Sequence, residues 1–198
     1  LLSGDDAAAI RKYEYYSDGK ISCIKDFQNF LNKDSDYVER DYNYDVFDRV
    51  LLMKYHNSTN KDLILEQYDY EYDKNSNITY KHEKYNYSNN LKDEDVTYTY
   101  NKLNQLVESV KNNKLTYKTT TSSYAYDNVG NRTYEKIVKK DTAATDKTFD
   151  EATYNYYSYN RLNQLSGKTE IITDGTTTKT YTGSYKYDAR GNQVEVTD

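Results

Sequence analysis

Seven copies of one short pattern divide this chain. They are Tyr13-Glu-Tyr15-Tyr-Ser-Asp-Gly19, Tyr42-Asn-Tyr44-Asp45-Val-Phe-Asp48, Tyr70-Glu-Tyr72-Asp73-Lys-Asn-Ser76, Tyr98-Thr-Tyr100-Asn101-Lys-Leu-Asn104, Tyr124-Ala-Tyr126-Asp127-Asn-Val-Gly130, Tyr157-Ser-Tyr159-Asn160-Arg-Leu-Asn163 and Tyr185-Lys-Tyr187-Asp188-Ala-Arg-Gly191. Successive copies start 29, 28, 28, 26, 33 and 28 residues apart. A period of this size marks a chain built from one supersecondary unit repeated along its length, so function must be sought in the array.

The pattern has a direct physical reading. Side chains alternate along a β-strand with a period of two, so the two rings of Tyr-x-Tyr fall on one face of a half-buried strand. The Asp or Asn that follows suits the first position of a type I turn, and Gly suits the fourth, where φ > 0 is common. Each copy therefore reads as strand, tight turn, strand.

The fourth turn position tests this reading. Gly19, Gly130 and Gly191 fit it, and Asn104 and Asn163 are the next most tolerant of left-handed backbone. Asp48 and Ser76 suit it less, so their turns are expected to be looser or of another type. Outgoing strands follow, as in Val50–Met53, Leu106–Val110 and Gln164-Leu165. Polar segments that can return the chain are Asn57–Asn60, Ser88–Asn90, Lys111–Lys114, Lys140–Lys147 and Thr173–Gly175. The longest lies inside the 33-residue interval, which puts insertions on one edge of the array.

Composition argues against a dense aliphatic core. Leu, Ile, Val and Phe make up 35 of 198 residues, while 26 tyrosines supply the missing apolar area. A Tyr ring buries a large surface but carries a hydroxyl that needs a partner, which suits a thin sheet with one face damp. No apolar run approaches the ~18–20 residues of a membrane helix, and residues 1–12 carry no signal-peptide pattern. Residues 1–12 are expected to form a loosely ordered lead-in to a single array over 13–198. A chain that opens without Met and starts its first repeat at Tyr13 reads as a piece of a longer protein.

Catalytic, metal and cofactor signals are thin. Cys23, the one cysteine, excludes an intrachain disulfide and reads as a small buried residue on a strand. His56 and His82 stand in unlike repeat contexts and belong to no spaced metal or imidazole-base motif. Asp127-Asn-Val-Gly-Asn131 has an acidic-Gly flavour but lacks the further oxygen ligands and terminal Glu of a calcium loop. No cofactor and no catalytic residue is expected. The 27 basic residues against 32 acidic ones give no nucleic-acid footprint. Sequons at Asn57, Asn77, Asn86 and Asn131 are what chance gives in an Asn-rich chain.

The series Tyr-x-Tyr-Asp-x-x-Gly-Asn/Arg, clearest at Tyr124–Arg132 and Tyr185–Asn192, resembles the YD repeat of the Rhs family. That family includes bacterial Rhs and wall-associated polymorphic toxins, the BC shell components of Tc toxins, and teneurins. The resemblance covers residues 13–198, and five of the seven copies depart from the pattern, with Tyr16, Asn101 and Asn160 in the Asp position. It implies an all-β fold: an antiparallel ribbon of hairpins, curved as an open fragment of a spiral β-shell around a toxin or other cargo. The motif residues named above then have structural roles. The resemblance also implies export to the medium or the bacterial surface.

At two strands per repeat, spaced about 4.8 Å, seven repeats would make a strip about 65 Å long with unpaired strands at both ends. Such edges invite the remainder of a parent chain or a second copy. Two functions are compatible with these features. The first is a non-catalytic scaffold that encloses cargo. The second is a surface ribbon that binds cell-wall or host glycans, which requires rows of solvent-exposed Tyr rings.

Overall fold

The structure, a computed structural model, describes residues 11–27, 37–58, 60, 64–87, 90–143 and 150–197. These residues form fourteen β-strands: β1 (Arg11–Tyr15), β2 (Ile21–Phe27), β3 (Tyr37–Tyr44), β4 (Val50–Asn57), β5 (Ile64–Tyr72), β6 (Ile78–Tyr87), β7 (Asn90–Tyr100), β8 (Leu106–Asn113), β9 (Lys118–Tyr126), β10 (Arg132–Asp141), β11 (Glu151–Tyr159), β12 (Leu165–Thr173), β13 (Thr178–Tyr187) and β14 (Gln193–Thr197). The fold is all-β. Strand order in the sheet is chain order, and the strand pairs are antiparallel. Each odd strand ends on a Tyr-x-Tyr and each even strand leaves the turn that follows, two strands per repeat.

The chain divides into two compact units, Leu1–Asp95 and Val96–Asp198. In the first, the Tyr-x-Tyr rings share a face: Tyr42 and Tyr44 stack with centroids 6.4 Å apart, as do Tyr70 and Tyr72. Cross-strand pairing lines Tyr42 up with Met53 and Tyr68 on that face. The other face carries Cys23 opposite Asp41, Glu39 opposite His56, and Asp69 opposite His82. Cys23 on this face, and Ile24 and Val38 on the Tyr face, are the buried apolar side chains of the first unit among the described residues.

In the second unit Ala152 is the corresponding buried apolar residue, and Tyr134 packs on Tyr156 at 5.2 Å. The aliphatic core is as thin as the composition implies.

Three details differ from the sequence reading. First, β1 begins at Arg11, with Arg11 opposite Asp26 and Lys12 opposite Lys25, so the array opens two residues before Tyr13. Residues 1–10 of the lead-in lie outside the described residues. Second, β8 runs on through Lys111–Asn113 and the chain reverses at 114–117. Asn113 Oδ1 takes the N–H groups of Leu115 and Thr116 at 3.0 and 2.8 Å, and Tyr117 has φ 55°. The polar Lys-Asn-Asn run is thus a strand end, because an Asx turn closes one step later. Third, the Asp48 and Ser76 turns do not differ from the rest, for a reason given below. The return at Thr173–Gly175 is found, with Gly175 at φ 87°. The other predicted returns fall partly outside the described residues, at 59, 88, 89 and 144–149.

Among the described residues no helix is long and apolar enough to cross a membrane.

Candidate functional site

The repeated chemistry of the chain gathers at seven turns, all among the described residues. Take the Asp or Asn after Tyr-x-Tyr as the first turn residue. Its N–H donates to the carbonyl of the fifth, as in Asp127 to Asn131 at 2.9 Å, and the N–H of the fourth donates back to it, as in Gly130 to Asp127 at 3.1 Å. The same pair of bonds closes the turns at Tyr16, Asp45, Asp73, Asn101, Asn160 and Asp188. The fourth residue is left-handed in every case, with φ of 87°, 64°, 67°, 59°, 94°, 59° and 87° along the chain.

Asp48 and Ser76 therefore adopt the turn made by Gly and Asn elsewhere. Their side chains are held by the preceding turn. Lys20 Nζ lies 2.5 Å from Asp48 Oδ1, and Arg49 Nη1 donates to Ser76 Oγ at 3.1 Å and to the Asp73 carbonyl at 3.0 Å. Those contacts offset the cost of left-handed backbone at a residue with a Cβ.

The first residue also uses its side chain. Asp127 Oδ1 accepts the N–H groups of Val129 and Asn131 at 3.0 and 2.8 Å, and its Oδ2 accepts Asn131 Nδ2 at 2.9 Å. Asp73 with Asn77 and Asp188 with Asn192 repeat this arrangement, and Asp45 pairs with the Arg49 guanidinium at 2.6 Å. Where the first residue is Asn the partner changes. Asn101 and Asn160 spend their Oδ1 on the same backbone donors, and their Nδ2 groups donate at 2.7 Å to the Oε1 of Gln105 and Gln164.

A carboxylate meets a donor and an amide N–H meets an acceptor. Hydrogen bonds from Asn77, Asn131 and Asn192 hold the carboxyls of Asp73, Asp127 and Asp188 below their ordinary range. The first turn lacks this side chain, having Tyr16, and Asp18 Oδ1 takes the Lys20 N–H at 3.1 Å instead.

Immediately after six of the turns the register slips by one residue. Tyr126 opposes Arg132 but Ala125 opposes Tyr134, which leaves Thr133 as a β-bulge. Ser22, Leu51, Thr79, Ser166 and Val194 occupy the same place in other repeats. At four junctions the carbonyl of the outgoing strand's first residue accepts the hydroxyl of the second Tyr of the next repeat. Tyr72 donates to Val50 at 2.9 Å, Tyr126 to Leu106 at 2.8 Å, Tyr159 to Arg132 at 2.8 Å and Tyr187 to Leu165 at 2.9 Å. These four phenol hydroxyls thus find their partners in the backbone of the sheet, whereas Tyr157 donates to Glu135 Oε2 at 3.1 Å. Burial raises the pKa of Tyr72 and Tyr126.

The sequence pattern gives the fifth turn residue as Asn or Arg, and its column also carries a pairing with the first residue. Arg or Asn follows Asp, and Gln follows Asn. This residue also reaches the fourth position of the next turn. Asn131 Nδ2 donates to Asn163 Oδ1 at 3.2 Å. Where the fifth residue is Gln, the next turn has Gly: a Cβ built on Gly191 would lie 3.2 Å from Gln164 Nε2, and one on Gly130 would lie 3.6 Å from Gln105 Nε2.

No protein-family model and no curated protein sequence matches this chain. Solved structures do. They include the Photorhabdus luminescens Tc holotoxin pore (16% identity, TM-score 0.42, covering 92% of this chain) and the TcdB2-TccC3-Cdc42 crystal structure (17% identity, TM-score 0.43, covering 92%). A third is TcdB2-TccC3 without its hypervariable C-terminal region (13% identity, TM-score 0.43, covering 92%). The chain is similar to Tc toxin chains. It spans 12% of the length of the first two and 14% of the third.

Outside the turns, the residues with chemical potential are engaged locally. Cys23 is buried, and burial together with Asp41 pushes its thiol up to about 12. His56, only 1% exposed, has Nε2 at 2.8 Å from Asp41 Oδ2 and Nδ1 at 3.1 Å from the Asn57 carbonyl. His82 lies between Asp69 at 2.9 Å and Asp93 at 3.1 Å. Among the described residues no group of three or more His, Cys, Asp and Glu is arranged to hold a metal ion.

Proposed function

We propose that this chain is a non-catalytic structural scaffold, part of the encapsulating β-shell of a toxin-delivering or wall-associated bacterial protein. Its partners would be the remainder of a parent chain and the cargo that chain encloses, in a secreted or surface location. The observation that carries this reading is the use of the motif itself. The turn Asx side chains are consumed in closing their turns, and the hydroxyls of Tyr72, Tyr126, Tyr159 and Tyr187 in tying one repeat to the one before. The YD resemblance of the motif and its resemblance-based links to exported shells supply the cellular setting.

The glycan-binding ribbon finds less support. It needs rows of open aromatic faces, whereas the Tyr-x-Tyr rings from Tyr42 to Tyr187 are half-buried, and only Tyr13 and Tyr15 of the motif are exposed.

The test is to measure the stability of Tyr126→Ala and Tyr187→Ala beside their binding to glycan arrays and cell walls. A scaffold predicts that both variants lose stability or aggregate and that the parent chain shows no saturable glycan binding. Variants that keep their fold and stability while losing a saturable glycan affinity would reverse the assignment.

A further inference from the structure

The third residue of a turn need not be apolar for the turn to close. Asn75 and Arg190 hold that place in turns three and seven, and each donates its N–H to the Asp at the turn start at 2.9 Å. Leu103, Val129 and Leu162 hold it in turns four, five and six and make the same bond at 2.9, 3.0 and 2.9 Å. Their side chains nevertheless stand 76%, 68% and 76% exposed. Turn geometry therefore does not account for three large apolar groups in water. Phe47, the third residue of turn two, differs, because the Arg49 guanidinium lies over its ring at 5.2 Å.

The three turns are consecutive and lie within the second unit, on one edge of the sheet. Two strands per repeat at 4.8 Å put successive tips about 10 Å apart, so they form a row. An exposed apolar row rimmed by polar groups marks an interaction surface. Its charge is selective. The second and third turn positions of this unit read Lys102-Leu103, Asn128-Val129, Arg161-Leu162 and Ala189-Arg190, with three cations and no acid, in a chain of net charge −5. Asp127 and Asp188 stand at the turn starts, held by the Nδ2 groups of Asn131 and Asn192. The first unit lacks this character, since its turns carry Asp18, Asp45, Asp48 and Asp73.

The backbone of the row is also suited to leaving water. In turn four the N–H groups of Leu103, Asn104 and Gln105 all donate to Asn101. Turns five and six spend the corresponding three donors on Asp127 and Asn160. A tip so closed brings no unpaired donor from these residues into an apolar medium, where each would be costly.

We infer that this turn edge is a docking surface for an anionic lipid bilayer. Leu103, Val129 and Leu162 would seat among the headgroups, and Lys102, Arg161 and Arg190 would meet the lipid phosphates. Apolar tips beside cations are what the interface of an anionic membrane selects. The contact is peripheral and needs no spanning segment. It goes beyond the scaffold reading and adds a surface on which the scaffold rests.

The test is co-sedimentation of the full chain with vesicles of equal parts phosphatidylglycerol and phosphatidylcholine, beside vesicles of phosphatidylcholine alone. Binding to the anionic vesicles is expected, and it should weaken as salt rises. Leu103→Asn and Leu162→Asn, which place at the tip the residue that turn three carries, should each weaken it about tenfold. Lys102→Gln and Arg161→Gln should each weaken it about fivefold. Leu115→Asn, at an exposed apolar residue of the opposite edge, is the comparison and should leave binding in place. Circular dichroism confirms that each variant keeps its fold, and the Lys102 and Arg161 variants carry the test if a tip variant does not. No binding to anionic vesicles would overturn the inference, as would binding that ignores the tip substitutions or responds equally to Leu115→Asn. Dimerisation of the chain in the absence of lipid, abolished by the tip substitutions, would overturn it in favour of a second copy. None of these outcomes bears on the scaffold reading, which stands or falls on the stability of Tyr126→Ala and Tyr187→Ala.

Discussion

Asn131 Nδ2 donates to Asn163 Oδ1 at 3.2 Å, across 32 residues of sequence, while the same nitrogen holds Asp127 Oδ2 at 2.9 Å within its own turn. One amide thus closes a turn and joins it to the next. Replacing Asn131 by Ala removes both bonds, and the expected loss is about 1–2 kcal/mol, read from chemical denaturation. Asn131→Asp should cost more, because it sets a second carboxylate against Asp127. An unchanged midpoint in both variants would mean that the junction carries no energy.

Gly19 and Gly191 both sit at φ 87°, but a Cβ at Gly19 meets nothing within 4 Å and one at Gly191 lies 3.2 Å from Gln164 Nε2. Asn tolerates left-handed backbone, so Gly19→Asn should be mild. Gly191→Asn should cost about 1–3 kcal/mol through overpacking. Adding Asn160→Asp and Gln164→Asn converts the junction to the Asp127-Asn131-Asn163 kind and should recover most of that loss. Thermal denaturation of the set would show it, and purely additive costs would contradict the matching.

Tyr126→Phe keeps the ring and deletes one hydroxyl, the donor to the Leu106 carbonyl. A loss of about 0.5–1.5 kcal/mol is expected. Tyr181, which lies outside the motif and is 53% exposed, serves as the comparison, and Tyr181→Phe should leave the denaturation midpoint in place.

Asp73, Asp127 and Asp188 have folded pKa values below the ordinary 3.8, because side-chain and backbone N–H groups favour the carboxylate. A depressed folded pKa contributes stability that is complete above about pH 4 and is lost as pH falls through the folded value. Stability should therefore decline on acidification below about pH 4. The Asn101 and Asn160 turns have no such titrating group. Converting turn five to their kind, with Asp127→Asn and Asn131→Gln together, should flatten the acid limb measured by circular dichroism. An acid limb of unchanged slope would argue that the turn carboxylates do not set it.

Gly167 occupies a strand interior because of a neighbour rather than its backbone angle. A Cβ there would lie 2.8 Å from Ser158 Oγ and 3.6 Å from the Gly183 carbonyl. Gly167→Ala should destabilise, and Ser158→Ala should rescue it in the double variant. A rescue that fails would place the strain elsewhere.

Much of the architecture was legible in the sequence, since the signals are local. The Tyr-x-Tyr alternation fixes a strand face, and the Asx side chain reaches donors only two and four residues ahead, so neighbouring letters suffice to specify the turn. The Asp-with-Asn and Asn-with-Gln pairing was also written there, four residues apart, and could have been read by aligning the repeats against one another. The Lys111–Lys114 return was misplaced because polar composition marks a strand end as readily as a turn.

By itself, then, the sequence determined the period, the two-strand unit, the aromatic face and the place of each Asx turn, all set by interactions within a handful of residues. Tertiary structure alone decided what each turn meets. The partner of the Tyr126 hydroxyl is 20 residues away and that of Asn131 is 32, and such contacts exist only once strand pairing has brought successive repeats side by side. It also decided that Asp48 and Ser76 could take left-handed backbone, because the compensating cation in each case comes from the turn before.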